Sequence, residues 1–123
     1  MATQDDVRRI ALSLPETSES EELFAFAVRR RGFAWGAIER PDPKGPRVPN
    51  PDVIAVRVAD DDEKRALIAA APDRYFSGHP FNGIHTVQVR LPAIDDDELT
   101  ELLTDAWRTQ APKALVRDFD RLR

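Results

Sequence analysis

The chain of 123 residues fits one domain spanning 1–123, long enough for a single hydrophobic core, and 41% hydrophobic with 33% charged residues is a globular composition rather than a disordered one. It contains no cysteine, which excludes disulfides, thiolate nucleophiles and thiolate metal sites. A net charge of −4 excludes the global basic excess that usually drives phosphate binding, so any nucleic-acid contact would need a local basic face.

Met1-Ala2-Thr3-Gln4-Asp5-Asp6 has neither the basic stretch nor the apolar core of a signal peptide, and no apolar run reaches membrane-spanning length. The expectation is a soluble cytoplasmic protein with no membrane partner. Thr3 and Asp6 then form a capping-box-like helix start, and Val7, Ile10, Ala11 and Leu14 follow at helical spacing until Pro15. Glu16 to Glu22 reads as an acidic connector. The period next changes to two. Phe24, Phe26 and Val28 alternate with smaller or charged residues as a strand, Arg30-Arg31-Gly32 reads as a tight turn, and Phe33 to Ile38 returns as the second strand of a hairpin.

Val53 to Val58 is a third strand, nearly continuous in β-branched residues. Asp60 and Glu63 repeat the capping pattern before a helix that runs to Ala71 and Pro72. Tyr75 and Phe76 suit a short strand, and Thr86 to Leu91 alternates so that Val87, Val89 and Leu91 share a face. After Asp95 comes the strongest helical stripe, Leu99, Leu102, Leu103, Ala106 and Trp107. A last helix follows Pro112, with Leu115, Phe119 and Leu122 on one side and Lys113, Arg117 and Arg121 on another. Short connections between successive strands favour antiparallel pairing. The fold class expected is α+β, an antiparallel sheet with helices packed on one face.

The candidate contact residues are basic. Arg29, Arg30 and Arg31 form the densest cationic run, and Arg40, Lys44 and Arg47 punctuate the proline-rich segment Glu39 to Pro51. Strand alternation sends neighbouring side chains to opposite faces, so at most two of the three arginines can grip one backbone together. Such contacts would position phosphates without reading sequence. Arginine at a hairpin tip also keeps a turn soluble, and the proline segment also reads as a solvated polyproline connection, too stiff and donor-poor to pair as regular strand.

Asp60-Asp61-Asp62-Glu63 and Asp95-Asp96-Asp97-Glu98 sit where helices begin and lack the alternating ligands and central glycine of a calcium loop, so helix capping accounts for them and no metal or other cofactor is expected. Both histidines, His79 and His85, lie in the loop Ser77 to His85. No nucleophile or carboxylate is spaced to form a catalytic set with them, and the chain is not expected to be an enzyme.

Several segments carry a resemblance in order along the chain. They are Ala11-Leu12-Ser13-Leu14-Pro15-Glu16-Thr17, the hairpin Phe24 to Trp35, Ala70-Ala71-Pro72-Asp73-Arg74-Tyr75-Phe76, Thr86-Val87-Gln88-Val89-Arg90-Leu91, Asp97-Glu98-Leu99 through Ala106-Trp107-Arg108, and Ala111-Pro112-Lys113. This ordered set resembles the MmcQ/YjbR family. The resemblance implies a CyaY-like α/β sandwich with a double-wing DNA-binding motif, although the segment Glu39 to Pro51 is longer and richer in proline than the family pattern. Two functions stay open: DNA binding through the basic hairpin and loop, or binding of a protein or small ligand on a sheet face bearing Phe33 and Trp35.

Overall fold

A computed structural model describes residues 1–39, 42–77 and 85–122. The first helix, α1 (Gln4–Ser13), starts on a full capping box: Asp6 N–H donates to the Thr3 hydroxyl while the Asp6 carboxylate accepts from Thr3 N–H at 2.9 Å. Its Val7, Ile10 and Ala11 are buried. Within the segment that reads as an acidic connector, the chain forms β1 (Thr17–Glu19), which pairs with β2 (Ala25–Val28). Three polar residues carry no strand period. Their strand exists because β2 offers a hydrogen-bonding edge, and a short charged strand is a usual way to close one.

Between β2 and β3 (Arg31–Glu39) the turn is one residue earlier than the sequence suggests. Val28 pairs with Arg31, leaving Arg29 and Arg30 as a two-residue loop with φ of 45° and 71°. Positive φ at both positions defines a type I′ turn, where Asn-Gly is the usual choice. Side chains with a Cβ resist this region at a cost of roughly 1–2 kcal/mol per residue.

The proline-rich segment also departs from expectation, because β4 (Val48–Arg57) begins inside it. Val48, Pro49 and Asn50 pair with Glu39, Ile38 and Ala37, while Ile54 pairs with Gly36, so Pro51, Asp52 and Val53 form an enlarged bulge on β4. Within β4 only Val53 to Arg57 pair with strand β6 (Thr86–Arg90). The prolines are therefore tolerated. Pro49 lies in a two-stranded arm beyond β6 and Pro51 in the bulge, where neither needs a ladder N–H.

The helix α2 (Asp61–Ala70) is capped by Asp60, which accepts from Glu63 N–H at 2.9 Å, and Glu63 accepts in turn from Ala59 N–H. Then come β5 (Tyr75–Phe76), β6, a 3-10 turn at Leu91–Ala93, α3 (Asp96–Gln110) capped by Asp95, and α4 (Lys113–Arg121). The sheet is antiparallel throughout in the order β1-β2-β3-β4-β6-β5, so the α+β expectation holds.

Residues directly paired across strands share a face. One row, Phe26-Ala34-Val56-Val87, is fully buried and belongs to the core with Val7, Leu99, Leu103 and Trp107. Partly buried side chains of α2 (Leu67, Ile68) and α4 (Leu115, Val116, Phe119) pack on the same core, which places the helices on that side. Leu122, expected on the apolar side of α4, is exposed, and Val116 packs inward instead. The neighbouring row, Ala25-Trp35-Ala55-Gln88-Phe76, points the other way.

At the β5 edge, Arg74 donates to both carboxylate oxygens of Glu98 at 2.7 and 3.0 Å. Beside this pair Tyr75 is buried, and burial together with the Glu98 charge pushes its hydroxyl up to about 12. An exposed phenol ionises near pH 10, roughly two units lower. The folded protein thus keeps a proton that the unfolded chain releases, so this stabilisation is intact below about pH 10 and is lost as pH rises toward 12. Denaturant unfolding between pH 9 and 12 should show that decline, and Tyr75→Phe should flatten it. An unchanged slope in the variant would assign the alkaline loss to another group.

Candidate nucleic-acid interface

The structure divides the basic residues by sequence position. Arg29 is committed to Glu16: its Nε and Nη2 donate to the two carboxylate oxygens at 2.8 and 2.7 Å, and Arg29 N–H donates to Glu16 O. This guanidinium holds the Glu16 carboxyl below its ordinary range, and Glu16 raises Arg29 in return. Arg29 therefore stands at the tip with its charge already met by a carboxylate and its guanidinium held in place. Glu16 itself has φ of 53°, so the pair ties together two left-handed residues at the ends of β1 and β2.

Arg30 and Arg31 make no ion pair among the described residues, and both are exposed. Arg31 pairs with the buried Val28 and belongs to the helix side of the sheet end. Arg30 borders the opposite side, where it lines a groove of about 350 Å³ with Ser18, Ala27, Gly32 and Trp35.

Lys44 and Arg47 are exposed on the β3–β4 arm, where the Asp42 carboxylate accepts from Lys44 N–H and Gly45 N–H closes a turn onto Asp42 O. Arg40 lies outside the described residues. The proline segment is not adjacent to the arginine run, as a reading of one continuous patch requires. β3 starts at the arginine tip and ends at the arm, so nine strand residues separate them by roughly 27 Å. The arm also carries Glu39, Asp42 and Asp52, which offset its cations.

Sequence reasoning missed Arg57. It stands two residues beyond Ala55, the partner of Trp35, and so lies on the Trp35 face near the Arg30 end. No ion pair engages it among the described residues. Its signal was hidden inside an apolar strand pattern. By contrast Arg8, Arg9, Arg65, Arg74, Arg108 and Arg121 all pair with carboxylates. At the other end of the Trp35 face, Arg90 stacks over the Phe76 ring at 4.2 Å in a cleft of about 500 Å³ with Asn50, Asp52 and Glu39.

Phe33 and Trp35 do not share a face. Ala27 pairs with Gly32 while Phe26 pairs with Ala34, so Phe33 is the extra residue of a β-bulge. Phe33 turns into the core at 0% exposure, and Trp35 is half-buried on the far face. Trp35 lies close over Gly32, where an added Cβ would come within 2.6 Å of its Cζ2. Glycine is required there by the ring. Of the histidines, His85 is exposed and its carbonyl accepts from Val58 N–H, whereas His79 falls outside the described residues.

Comparison with known proteins adds the lineage. A YjbR family model matches residues 12–109. The chain belongs to the YjbR family. Uncharacterized proteins Rv2570 of Mycobacterium tuberculosis and Mb2600 of Mycobacterium bovis are each 43% identical over 97% of this chain and 96% of their own length. The crystal structure of protein DR2400 of Deinococcus radiodurans, with a domain named DUF419, superposes with a TM-score of 0.64. It covers 98% of this chain and 89% of that one at 21% identity, which makes it a relative in fold. Both the YjbR match and this shared fold agree with the resemblance read from the sequence. Among the described residues, no helix of this YjbR protein is long and apolar enough to cross a membrane.

Proposed function

We propose that this YjbR protein binds nucleic acid, DNA in the first instance, through phosphate contacts at the β2–β3 end of the sheet. Arg30, Arg31 and Arg57 make the main contact, and Lys44 and Arg47 on the arm form a second, weaker one. The observation that carries this reading is the pattern of ion pairing. Two carboxylates of the β1 side at that end are already engaged, Glu16 by Arg29 and Glu19 by Arg8, while Arg30, Arg31 and Arg57 have no acidic partner among the described residues. An acidic chain can therefore still present a locally positive surface. Two wings about 27 Å apart also match phosphates roughly eight base pairs apart along a duplex.

The test is a salt titration of binding to random-sequence DNA. With about three to five phosphates neutralised, log Kobs should fall linearly against log salt with a slope of roughly −3 to −4.5. Absence of binding at low salt would remove the proposal. In that event the far face around Trp35 would stand as a surface for a protein or small ligand.

A further inference from the structure

Among the described residues only three with a Cβ have positive φ: Glu16 at 53°, Arg29 at 45° and Arg30 at 71°. All three stand at one corner of the sheet, beside the paired residues Thr17 and Val28. L-residues resist this region, and the Asn-Gly pair that suits such a turn is not used at this tip. Strained backbone of this kind persists where surrounding structure over-determines it, and it gathers at binding sites.

The contacts that hold the corner trace back to the core. Trp107 Nε1–H donates to Pro15 O at 3.0 Å, which fixes the residue before Glu16. Arg8 on α1 donates to both carboxylate oxygens of Glu19 at 2.7 and 3.0 Å, which fixes the other end of β1. Glu16 is thus carried on anchored backbone. Its carboxylate accepts from Nε and Nη2 of Arg29, and its carbonyl accepts from Arg29 N–H. Both side chains are about half exposed, and an exposed ion pair adds little to stability. A bidentate pair does fix geometry, because two parallel hydrogen bonds leave the planar guanidinium one orientation. Arg30 and Arg31 follow directly in the chain, both exposed.

We infer that Glu16 and Arg29 are positioning residues: their pair locks the β2–β3 turn in the conformation that presents Arg30 and Arg31 to phosphate. The inference rests on the phosphate reading above. A turn already ordered in the free protein binds more tightly than one that must be ordered by its ligand. The Glu16 carboxylate therefore strengthens binding to a polyanion, the opposite of what its charge alone dictates.

The sign of one substitution tests this. Glu16→Gln keeps the side-chain length, removes a negative charge from the phosphate surface and breaks the bidentate pair. Simple attraction predicts tighter binding of random-sequence duplex DNA. The positioning role predicts binding weaker by about 3- to 10-fold, with the salt slope unchanged because no phosphate contact is lost. Arg30→Ala should instead make the slope shallower by about one. Two charge-matched double variants then separate geometry from charge. Glu16→Gln with Arg29→Asn places a residue that accepts left-handed backbone at the first turn position, and should restore most of the affinity. Glu16→Gln with Arg29→Ala carries the same charge, leaves the turn unsupported and should stay weak. Far-UV circular dichroism establishes that each variant is folded.

Unchanged or tighter binding by Glu16→Gln, or equal affinity of the two double variants, would overturn the inference while leaving the phosphate proposal intact. Failure of the unaltered protein to bind DNA at low salt would overturn both.

Discussion

Trp107→Ala should cost about 3–5 kcal/mol of unfolding free energy, the range for removing a large buried aromatic. The side chain is 0% exposed, and its Nε1–H donates to Pro15 O at 3.0 Å, joining α3 to the turn after α1. Its ring also meets Phe119 at 5.0 Å and so anchors α4. Truncation would therefore open a cavity, strand a carbonyl and release the final helix together. For a chain of this size each kcal/mol corresponds to roughly 3–6 °C in Tm, which sets an expected fall of about 10–30 °C. Trp107→Phe should lose less, about 1–3 kcal/mol, because most apolar volume remains while the hydrogen bond is lost. Chemical denaturation followed by circular dichroism measures both. A loss below about 1 kcal/mol for the alanine variant would mean that the core does not depend on this ring. Trp35→Ala, on the opposite side of the sheet and only half-buried, should cost much less stability.

The triple variant Arg30→Ala, Arg31→Ala, Arg57→Ala should weaken DNA binding on the order of 100-fold at low salt and make the salt slope shallower by about two to three. Each phosphate contact contributes nearly one unit of that slope through counterion release, so the slope counts contacts where affinity alone does not. Lys44→Ala with Arg47→Ala should have a smaller effect, because Asp42 and the other carboxylates of the arm already offset that charge. Alanine at Lys113 and Arg117, exposed on α4 and on the other side of the molecule's core, should change neither quantity. Equal sensitivity to the α4 and tip variants would point to diffuse attraction rather than a defined surface. Retained slope in the triple variant would relocate the contact.

Arg29 belongs outside that set for a reason no local pattern reveals. Glu16 is thirteen residues away in sequence, and only the pairing of β1 with β2 brings the two together. The same pairing explains why Thr17–Glu19 could not be recognised as a strand: its residues have no apolar period, and its partner edge is supplied from elsewhere in the chain. Conversely, the caps were legible because they are local. Thr3 with Asp6, Asp60 with Glu63 and Asp95 with Glu98 each act across three residues, so the signals lie within one turn.

By itself the sequence determined the α+β class, the starts and stops of the helices, the buried stripe of α3, the presence of a basic β2–β3 tip and the resemblance to the YjbR family. These depend on period, caps and proline, which act over a few residues. The tertiary structure decided which charges remain unpaired, the separation of the tip from the proline arm along β3, and the face taken by each aromatic. Simple alternation assigns Phe33 and Trp35 to the same side of a strand. The bulge at Gly32 and Phe33 inserts one residue into β3, sends Phe33 into the core and leaves Trp35 on the far face, and that one-residue offset arises from pairing with β2 rather than from β3 alone.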